Sequence, residues 1–384
     1  MKNKEELQAI NEITIKEVIT SSDLRLFVEL PYKLHKDLKN WCPPLYGNDK
    51  ETFNPEKNFS FKHCDTIRLL AFKNNEIVGR VMGIIHHEYN KSKNENNARF
   101  AFFDSIEDEA VFKELIHKIE EWALSKGCVN IVGPLGFSDK DPQGFVIEGF
   151  EEHAVLLTNY NTPFFPSMMD TLGFLPEVIL VQYKFPVSEE YHRRMEIYSK
   201  RVTQNGSFTL KNFSNTKSIK PYVSSVFDLI NEAYKHIYGF AFITDAEVKA
   251  FADNFLSLLN PAFVKMVFDK ENKLAGFMVG MPDIALGIKK ADGKLFPFGW
   301  WHILRSLKKS KDLVLLLGAV REEYRARGID AVMGESFLRS AIELGYKTID
   351  SHLIMETNFK MRAEYERIEG AKRYKRYCIY KKAL

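Results

Sequence analysis

One pattern runs through this chain twice, and a duplicated pattern restricts the possible folds more than composition can. Thr14-Ile15-Lys16-Glu17-Val18 opens a first copy; Thr209-Leu210-Lys211-Asn212-Phe213 opens a second, 195 positions later. Ile77-Val78-Gly79 returns as Leu274-Ala275-Gly276, 197 positions on. Asn161, with Gly173 twelve residues behind it, returns as Asn358 with Gly370, again at 197. A nearly constant offset over a domain's length predicts two structural copies in tandem. The expected boundaries are a first domain over 1–187, a linker over 188–206 and a second domain over 207–384. A chain of 384 residues suits two such domains, each able to bury its own core.

Both copies read as the same mixed order of strands and helices, an α+β class with a central mixed sheet flanked by helices. In the first, strands are expected near 13–18, 66–72, 77–85, 99–104, 129–132 and 178–185. Helices are expected near 22–39, 108–125 and 162–172. Val111, Leu115, Ile119 and Trp122 recur on one helical face, and Gly127 stops that helix. The second copy predicts strands at 208–213, 313–320, 347–353 and 374–380, a hairpin over 263–281, and helices at 219–236, 329–344 and 358–368. Two insertions break the symmetry. The first copy has 133–158, with Gly136-Phe137-Ser138-Asp139-Lys140-Asp141-Pro142-Gln143-Gly144. The second has 282–311, with Phe296-Pro297-Phe298-Gly299-Trp300-Trp301-His302 and then Lys308-Lys309-Ser310-Lys311.

Charge and cysteine usage exclude several classes. A net charge of +3 is close to neutral and by itself argues neither for nor against nucleic acid; it weighs against a basic tRNA-binding face, and no nucleic-acid partner is expected. Four cysteines, Cys42, Cys64, Cys128 and Cys378, lie scattered without a zinc spacing, which reads as a reduced, cytoplasmic chain with no metal. No run reaches the length of a membrane span, and the charged N-terminus lacks a signal-peptide core. The lysine-rich stretch at 308–311 reads as a solvated face, and membrane contact is not expected. The aromatic run before it is either an acyl- or membrane-facing flap or a loop packed on the second copy.

The copies differ most where chemistry is expected. Leu313-Val314-Leu315-Leu316-Leu317-Gly318-Ala319-Val320 is a buried strand by composition. It runs through a charged turn into Arg325-Ala326-Arg327-Gly328-Ile329-Asp330 and then a helix; the first copy has Ser105-Ile106-Glu107-Asp108-Glu109 there. A strand entering a helix through such a turn gathers backbone N–H groups at the positive end of the helix dipole, an arrangement suited to pyrophosphate. Gly328 lets the backbone approach closely, while Arg325 and Arg327 add positive charge.

This stretch resembles the acetyl-CoA loop of the GNAT acetyltransferase superfamily, Q/R-x-x-G-x-G/A after the fourth strand, except that Asp330 replaces the final small residue. The segment from Asn358 to Gly370, containing Tyr365-Glu366-Arg367-Ile368-Glu369-Gly370, is similar to a second element of that family. The resemblance spans about 208–382. The first copy is similar in element order and lacks the loop. It implies an acyl-CoA-dependent N-acyltransferase, acetyl-CoA being the first candidate donor and an amine of a small molecule or peptide the acceptor.

Residue by residue, the resemblance implies that backbone amides of Arg325, Ala326, Arg327, Gly328, Ile329 and Asp330 hold the pyrophosphate. Gly318, Ala319 and Val320 would pair with the pantetheine arm and polarise the thioester carbonyl. Asn358 would touch the arm, and Tyr365 would protonate the leaving thiolate. At the 197 offset the first copy has Met168 in place of Tyr365. Glu356 is the candidate to deprotonate an amine through water, with His352 a structural histidine or a second candidate. Asp139 and Asp141 are either turn residues or contacts for an amine substrate. Two other functions fit the pattern: a non-catalytic binding or scaffolding protein, with Asp330 as the sign of decay, and a Fem-like aminoacyltransferase using charged tRNA.

Overall fold

The computed structural model describes residues 12–204, 206–256 and 259–384. It begins with β1 (Ile13–Glu17), α1 (Ser21–Leu34), α2 (Tyr46–Thr52), β2 (Cys64–Lys73), β3 (Glu76–His86) and α3 (His87–Lys93). Next come β4 (Asn97–Ser105), α4 (Glu109–Ser125), β5 (Asn130–Gly133), β6 (Phe145–Glu148), α5 (Phe164–Thr171) and β7 (Leu175–Pro186). The second copy supplies α6 (Glu189–Thr203), β8 (Phe208–Lys211), α7 (Val223–Tyr234), α8 (Asp245–Phe255), β9 (Val264–Asp269) and β10 (Leu274–Pro282). It continues with α9 (Ala285–Lys290), α10 (Gly299–Lys309), β11 (Asp312–Val320) and α11 (Ile329–Glu343). The chain closes with β12 (Thr348–Asp350), β13 (Ile354–Met355), α12 (Phe359–Glu366) and β14 (Lys372–Ala383).

Two compact units form, and they are not two consecutive halves of the chain. The first takes the chain up to Val181, then Ala285–Arg305 and Lys375–Leu384; the second takes Gln182–Ile284 and Ser306–Tyr374. The expected split into 1–187 and 207–384 therefore differs from the packing at both ends of the second copy. Residues 188–206 are not a bare linker either. Ser188 caps α6 by accepting from the Tyr191 N–H at 3.2 Å, and α6 packs on α11 within the second unit. The expected helix over 22–39 stops at Leu34, after Pro31; the His35 N–H closes the last turn on the Pro31 carbonyl. The strand expected over 347–353 is shortened to Thr348–Asp350.

In the first unit β1 to β4 form an antiparallel meander, β4 pairs in parallel with β5, and β5 is flanked by the end of β14. The buried face of α4 presents Val111, Phe112, Leu115, Ile116 and Ile119 to a core that includes Phe100, Phe103 and Phe165. In the second unit β8 to β11 run antiparallel, β11 pairs in parallel with β12, and β12 is flanked by the end of β7. The repeated glycine of each copy has a packing reason. A Cβ on Gly79 would lie 2.7 Å from Leu115 of α4, and one on Gly276 would lie 2.9 Å from Ile329 of α11. Each strand needs a glycine there for its helix to sit down.

Candidate active site in the second unit

β11 and β12 stay together for three residues only: Asp312 to Val314 lie opposite Thr348 to Asp350. After that β11 continues to Val320 with β10 as its strand partner. The other chain is drawn aside. Ser351 donates its N–H to the Tyr183 carbonyl at 2.8 Å and accepts the Tyr183 N–H on its hydroxyl at 2.9 Å. Asp350, buried at the point of divergence, accepts from Gln182 at 2.7 Å, from the His352 N–H at 2.8 Å and from the Tyr374 hydroxyl. The left-handed backbone of His352 follows directly.

The edge of β11 facing this gap carries main-chain groups able to pair with an extended ligand. At Gly318 those groups meet one side chain. The Tyr234 hydroxyl donates to the Gly318 carbonyl at 3.0 Å, and the Gly318 N–H reaches the same oxygen at 3.3 Å. Nothing in the sequence pointed to Tyr234, the last residue of α7.

Beyond Val320 the chain makes a short turn over Glu322–Tyr324, held by Arg321 on Glu232 and by the Tyr324 hydroxyl on Asp269. Ala326 and Gly328 then both adopt positive φ, 62° and 78°, on either side of Arg327. Arg325, Ala326, Arg327 and Asp330 are exposed, whereas Ile329 is fully buried against Val332 and Met333, so only its backbone is available to a ligand. Gly328 is the N-cap of α11, with no side chain capping the first turn. That leaves first-turn N–H groups and the positive dipole end open to an anion. A Cβ at Gly328 would also strike Val202 at 2.6 Å.

The other expected residues sit on the segment leading into α12. Tyr365 is half-buried, stacked on Phe185 at 5.4 Å between ring centres and 5.8 Å from Tyr183. Burial, with Asp350 and Tyr234 adding to it, pushes its phenol above the ordinary tyrosine range, so it keeps its proton at neutral pH. Asn358 caps α12, accepting the Met361 N–H at 3.2 Å. Glu356 pairs with Arg373 at 3.4 Å, while its carbonyl accepts from Arg362. Tyr365 and Tyr234 are thus electrostatic neighbours, and Tyr234 is the residue closing Gly318.

Asp139 and Asp141 lie in the first unit, Asp141 as a turn residue. Asp141 accepts the Ser138 N–H at 3.2 Å, and burial raises its carboxyl above the usual range. Asp139 pairs with Lys140 at 3.0 Å and gives its carbonyl to Gln143.

A second polar cluster, in the first unit, was not foreseen. Buried Arg80 and buried His35 both bind Asp104, at 2.8 and 2.7 Å. Burial alone would raise the Asp104 carboxyl, but the Arg80 charge and the His35 hydrogen bond hold it well below the usual range. Nearby Asp49 is pushed up to about 7 by burial, with Arg80 opposing, and its Oδ2 has no partner among the described residues. The sequence did carry a signal: a charge inside each of two apolar strand runs, Val78–Met82 and Phe102–Asp104. Among the described residues no group of three or more side chains could hold a metal, and no helix is long and apolar enough to cross a membrane.

No family model matches the sequence. Protein YghO of Escherichia coli K12 is 28% identical over 397 aligned residues, 98% of each chain. A bacterial ceramide synthase of Caulobacter vibrioides is 25% identical, covering 97% of this chain and 98% of its own. Among solved structures, a tandem GNAT protein from the clavulanic acid biosynthesis pathway superposes with a TM-score of 0.55 at 10% identity, covering 97% of this chain and 98% of that one. A probable N-acyltransferase of Enterococcus faecalis V583 gives 0.52 at 9% identity, over 97% of this chain and 72% of that one. The chain therefore has a tandem GNAT-like fold.

Proposed function

We propose that this tandem GNAT-like protein is a CoA-dependent N-acyltransferase whose donor lies along the open edge of β11 and the first turn of α11. The observation carrying this reading is the divergence of β11 from β12 after Val314, leading through two left-handed residues to a helix without a side-chain cap. A strand edge suits an amide-bearing arm, and an open helix end with two arginines suits a pyrophosphate. Arg325, Ala326, Arg327, Gly328, Ile329 and Asp330 would supply the phosphate contacts, mostly through the backbone. Gly318, Ala319 and Val320 would hold the arm and the thioester carbonyl, with Asn358 beside the arm.

In the proposed reaction an amine nitrogen attacks the thioester carbonyl carbon. The amine proton leaves to water or Glu356, the carbon–sulfur bond breaks, and Tyr365 gives its proton to the departing thiolate. Holding both reactants in line supplies much of the rate enhancement. Burial keeps the Tyr365 phenol protonated, so it has a proton to give. Glu356 serves as base only when Arg373 releases it.

Acetyl-CoA is the simplest donor. The likeness to a protein named as a ceramide synthase supports a longer acyl chain and a lipid amine, since a ceramide is a fatty amide. The non-catalytic alternative draws on Asp330, a carboxylate at the helix end where a pyrophosphate would sit. Calorimetric titration with acetyl-CoA and palmitoyl-CoA tests both, using wild type and the double variant Arg325→Glu, Arg327→Glu. Binding that the double variant loses supports the donor site. Absence of binding by both donors removes the acyltransferase reading and leaves the non-catalytic one.

A further inference from the structure

The excursion at 285–309 has two faces of opposite character. Its inner face is tied into the first unit. The Gly293 carbonyl accepts the Tyr46 N–H at 2.9 Å, Lys289 donates to the carbonyls of Leu38 and Lys39, and Ile288 and Ile303 are buried. This is a fixed pedestal. The outer face carries Leu295, Phe296, Phe298, Trp300, Trp301 and Leu304, each between 44% and 81% exposed. Single exposed apolar side chains are ordinary; six large ones within ten residues are not.

The arrangement along α10 is directional. Trp300, Trp301 and Leu304 form an exposed stripe in its first turns, and Arg305, Lys308 and Lys309 prolong that exposed side toward its C-terminus. Arg305 lies over the Trp301 ring at 5.3 Å. Within 285–309 the basic residues are Lys289, Lys290, Lys294, Arg305, Lys308 and Lys309, against Asp292 as the one acid. Local charge is strongly positive although the whole chain is nearly neutral.

We propose that this face docks on the surface of a lipid bilayer containing anionic headgroups, without crossing it. Aromatic and leucine side chains beside a basic rim have the chemistry of an interfacial anchor: rings enter the headgroup boundary while cations meet the lipid charge. A second protein surface would also cover apolar groups, but the concentrated positive charge favours an anionic partner. The lysine-rich segment, unremarkable as a solvated face when read alone, becomes the rim of an apolar tip. The inference does not depend on the donor site, because none of its residues belongs to that site.

Vesicle flotation of the full-length protein tests it, with phosphatidylcholine alone and with phosphatidylcholine mixed with phosphatidylglycerol. Wild type floats with the mixed vesicles and at least ~10-fold less with the neutral ones at low ionic strength. The triple variant Phe296→Ser, Phe298→Ser, Trp301→Ser loses flotation by ~10-fold or more while keeping its circular dichroism and melting temperature. Arg305→Glu with Lys308→Glu weakens binding to the mixed vesicles alone. Wild type that does not float on the mixed vesicles, or a triple variant that floats equally well, overturns the proposal. So does a lipid-independent dimer that the triple variant dissolves without any vesicle binding, since the face would then belong to a second copy.

Discussion

The two units build the same opening and treat it in opposite ways. In each, a parallel pair lasts three residues and then divides: Asn97–Arg99 beside Asn130–Val132 in the first, Asp312–Val314 beside Thr348–Asp350 in the second. In the first unit the chain fills the opening itself. The Leu135 N–H donates to the Phe100 carbonyl at 2.9 Å, and Arg99 holds the carbonyls of Gly136 and Phe137. The following helix is closed by Asp108, which accepts the Ala110 and Val111 N–H groups at 2.9 and 3.1 Å. In the second unit the strand edge meets a tyrosine hydroxyl, and glycine caps the helix. A ligand site needs main-chain groups within reach, and among the described residues the first unit covers these with its own main chain while the second covers Gly318 with one side chain. The paired asparagines diverge in the same sense: Asn161 bonds both the N–H and the carbonyl of Val146 to anchor the filling insertion, whereas Asn358 caps an exposed helix.

The contrast is broken most severely at Tyr365. Met168, its counterpart at the repeat offset, is a buried core residue of the first unit. Tyr365→Phe removes the phenol and keeps the ring on Phe185. If the second unit is the working one, kcat falls by ~10²–10⁴-fold while acyl-CoA affinity stays within about twofold. Single-turnover release of free thiol measures this. An unchanged rate would take general-acid chemistry away from α12.

The charge cluster of the first unit provides the next test. Arg80 lies opposite Asp104 in register, and the equivalent pair in the second unit is Phe277 opposite Ala319. Buried charge is costly, so at this register the first unit carries a burden that the second replaces with an apolar pair. Asp49 bears part of it. Its folded pKa of about 7 lies above the ordinary aspartate value of 3.8, so its stabilising contribution is complete below pH 4 and disappears as pH rises through 7. Asp49→Asn should then stabilise the protein at pH 8 by about 2–4 kcal/mol and have little effect at pH 4. Urea unfolding at both pH values checks the sign. Equal stability of variant and wild type at pH 8 would mean that the carboxyl is solvated after all.

A smaller effect is expected at the exposed loop. Arg325→Glu with Arg327→Glu leaves the melting temperature unchanged, because neither side chain packs in a core. It weakens acyl-CoA binding by ~10–100-fold, with a shallower salt dependence than wild type. The corresponding first-unit change, Glu107→Lys, should create no binding, since Asp108 already occupies that helix end.

Repetition, strand order and the loop-to-helix motif were legible because each is written locally: an offset, a period, a glycine before a helix. The parts that were not legible depend on distant pairings. Tyr234 meets Gly318 across 84 positions, and Asp350 meets Gln182 across 168. No local pattern distinguishes a closing hydroxyl from an ordinary helix-end tyrosine. The allotment of Ala285–Arg305 to the first unit is hidden for the same reason, since the Gly293 carbonyl finds the Tyr46 N–H far back in the chain. Asp139 and Asp141 are ambiguous in sequence because turn chemistry and amine recognition use the same carboxylates; in the structure Asp141 accepts a turn N–H and Asp139 pairs with Lys140.

Tyr234→Phe gives the finest comparison, because it asks how much closure separates the two openings. Its hydroxyl satisfies both main-chain groups of Gly318 in the unliganded protein, and a pantetheine arm pairing at that position would have to displace it. Removing the hydroxyl exposes those groups to water and costs the free protein about 1 kcal/mol. That loss raises the free state toward the bound one, so acyl-CoA should bind roughly 3–5-fold more tightly to the variant, by the same free energy. Titration calorimetry on the variant reads the difference directly. Weaker binding would mean that the hydroxyl stays and helps to hold the ligand; unchanged binding would place the arm away from Gly318, toward Val320. Tighter binding would show that one side chain keeps the second opening closed, where in the first the main chain would have to move.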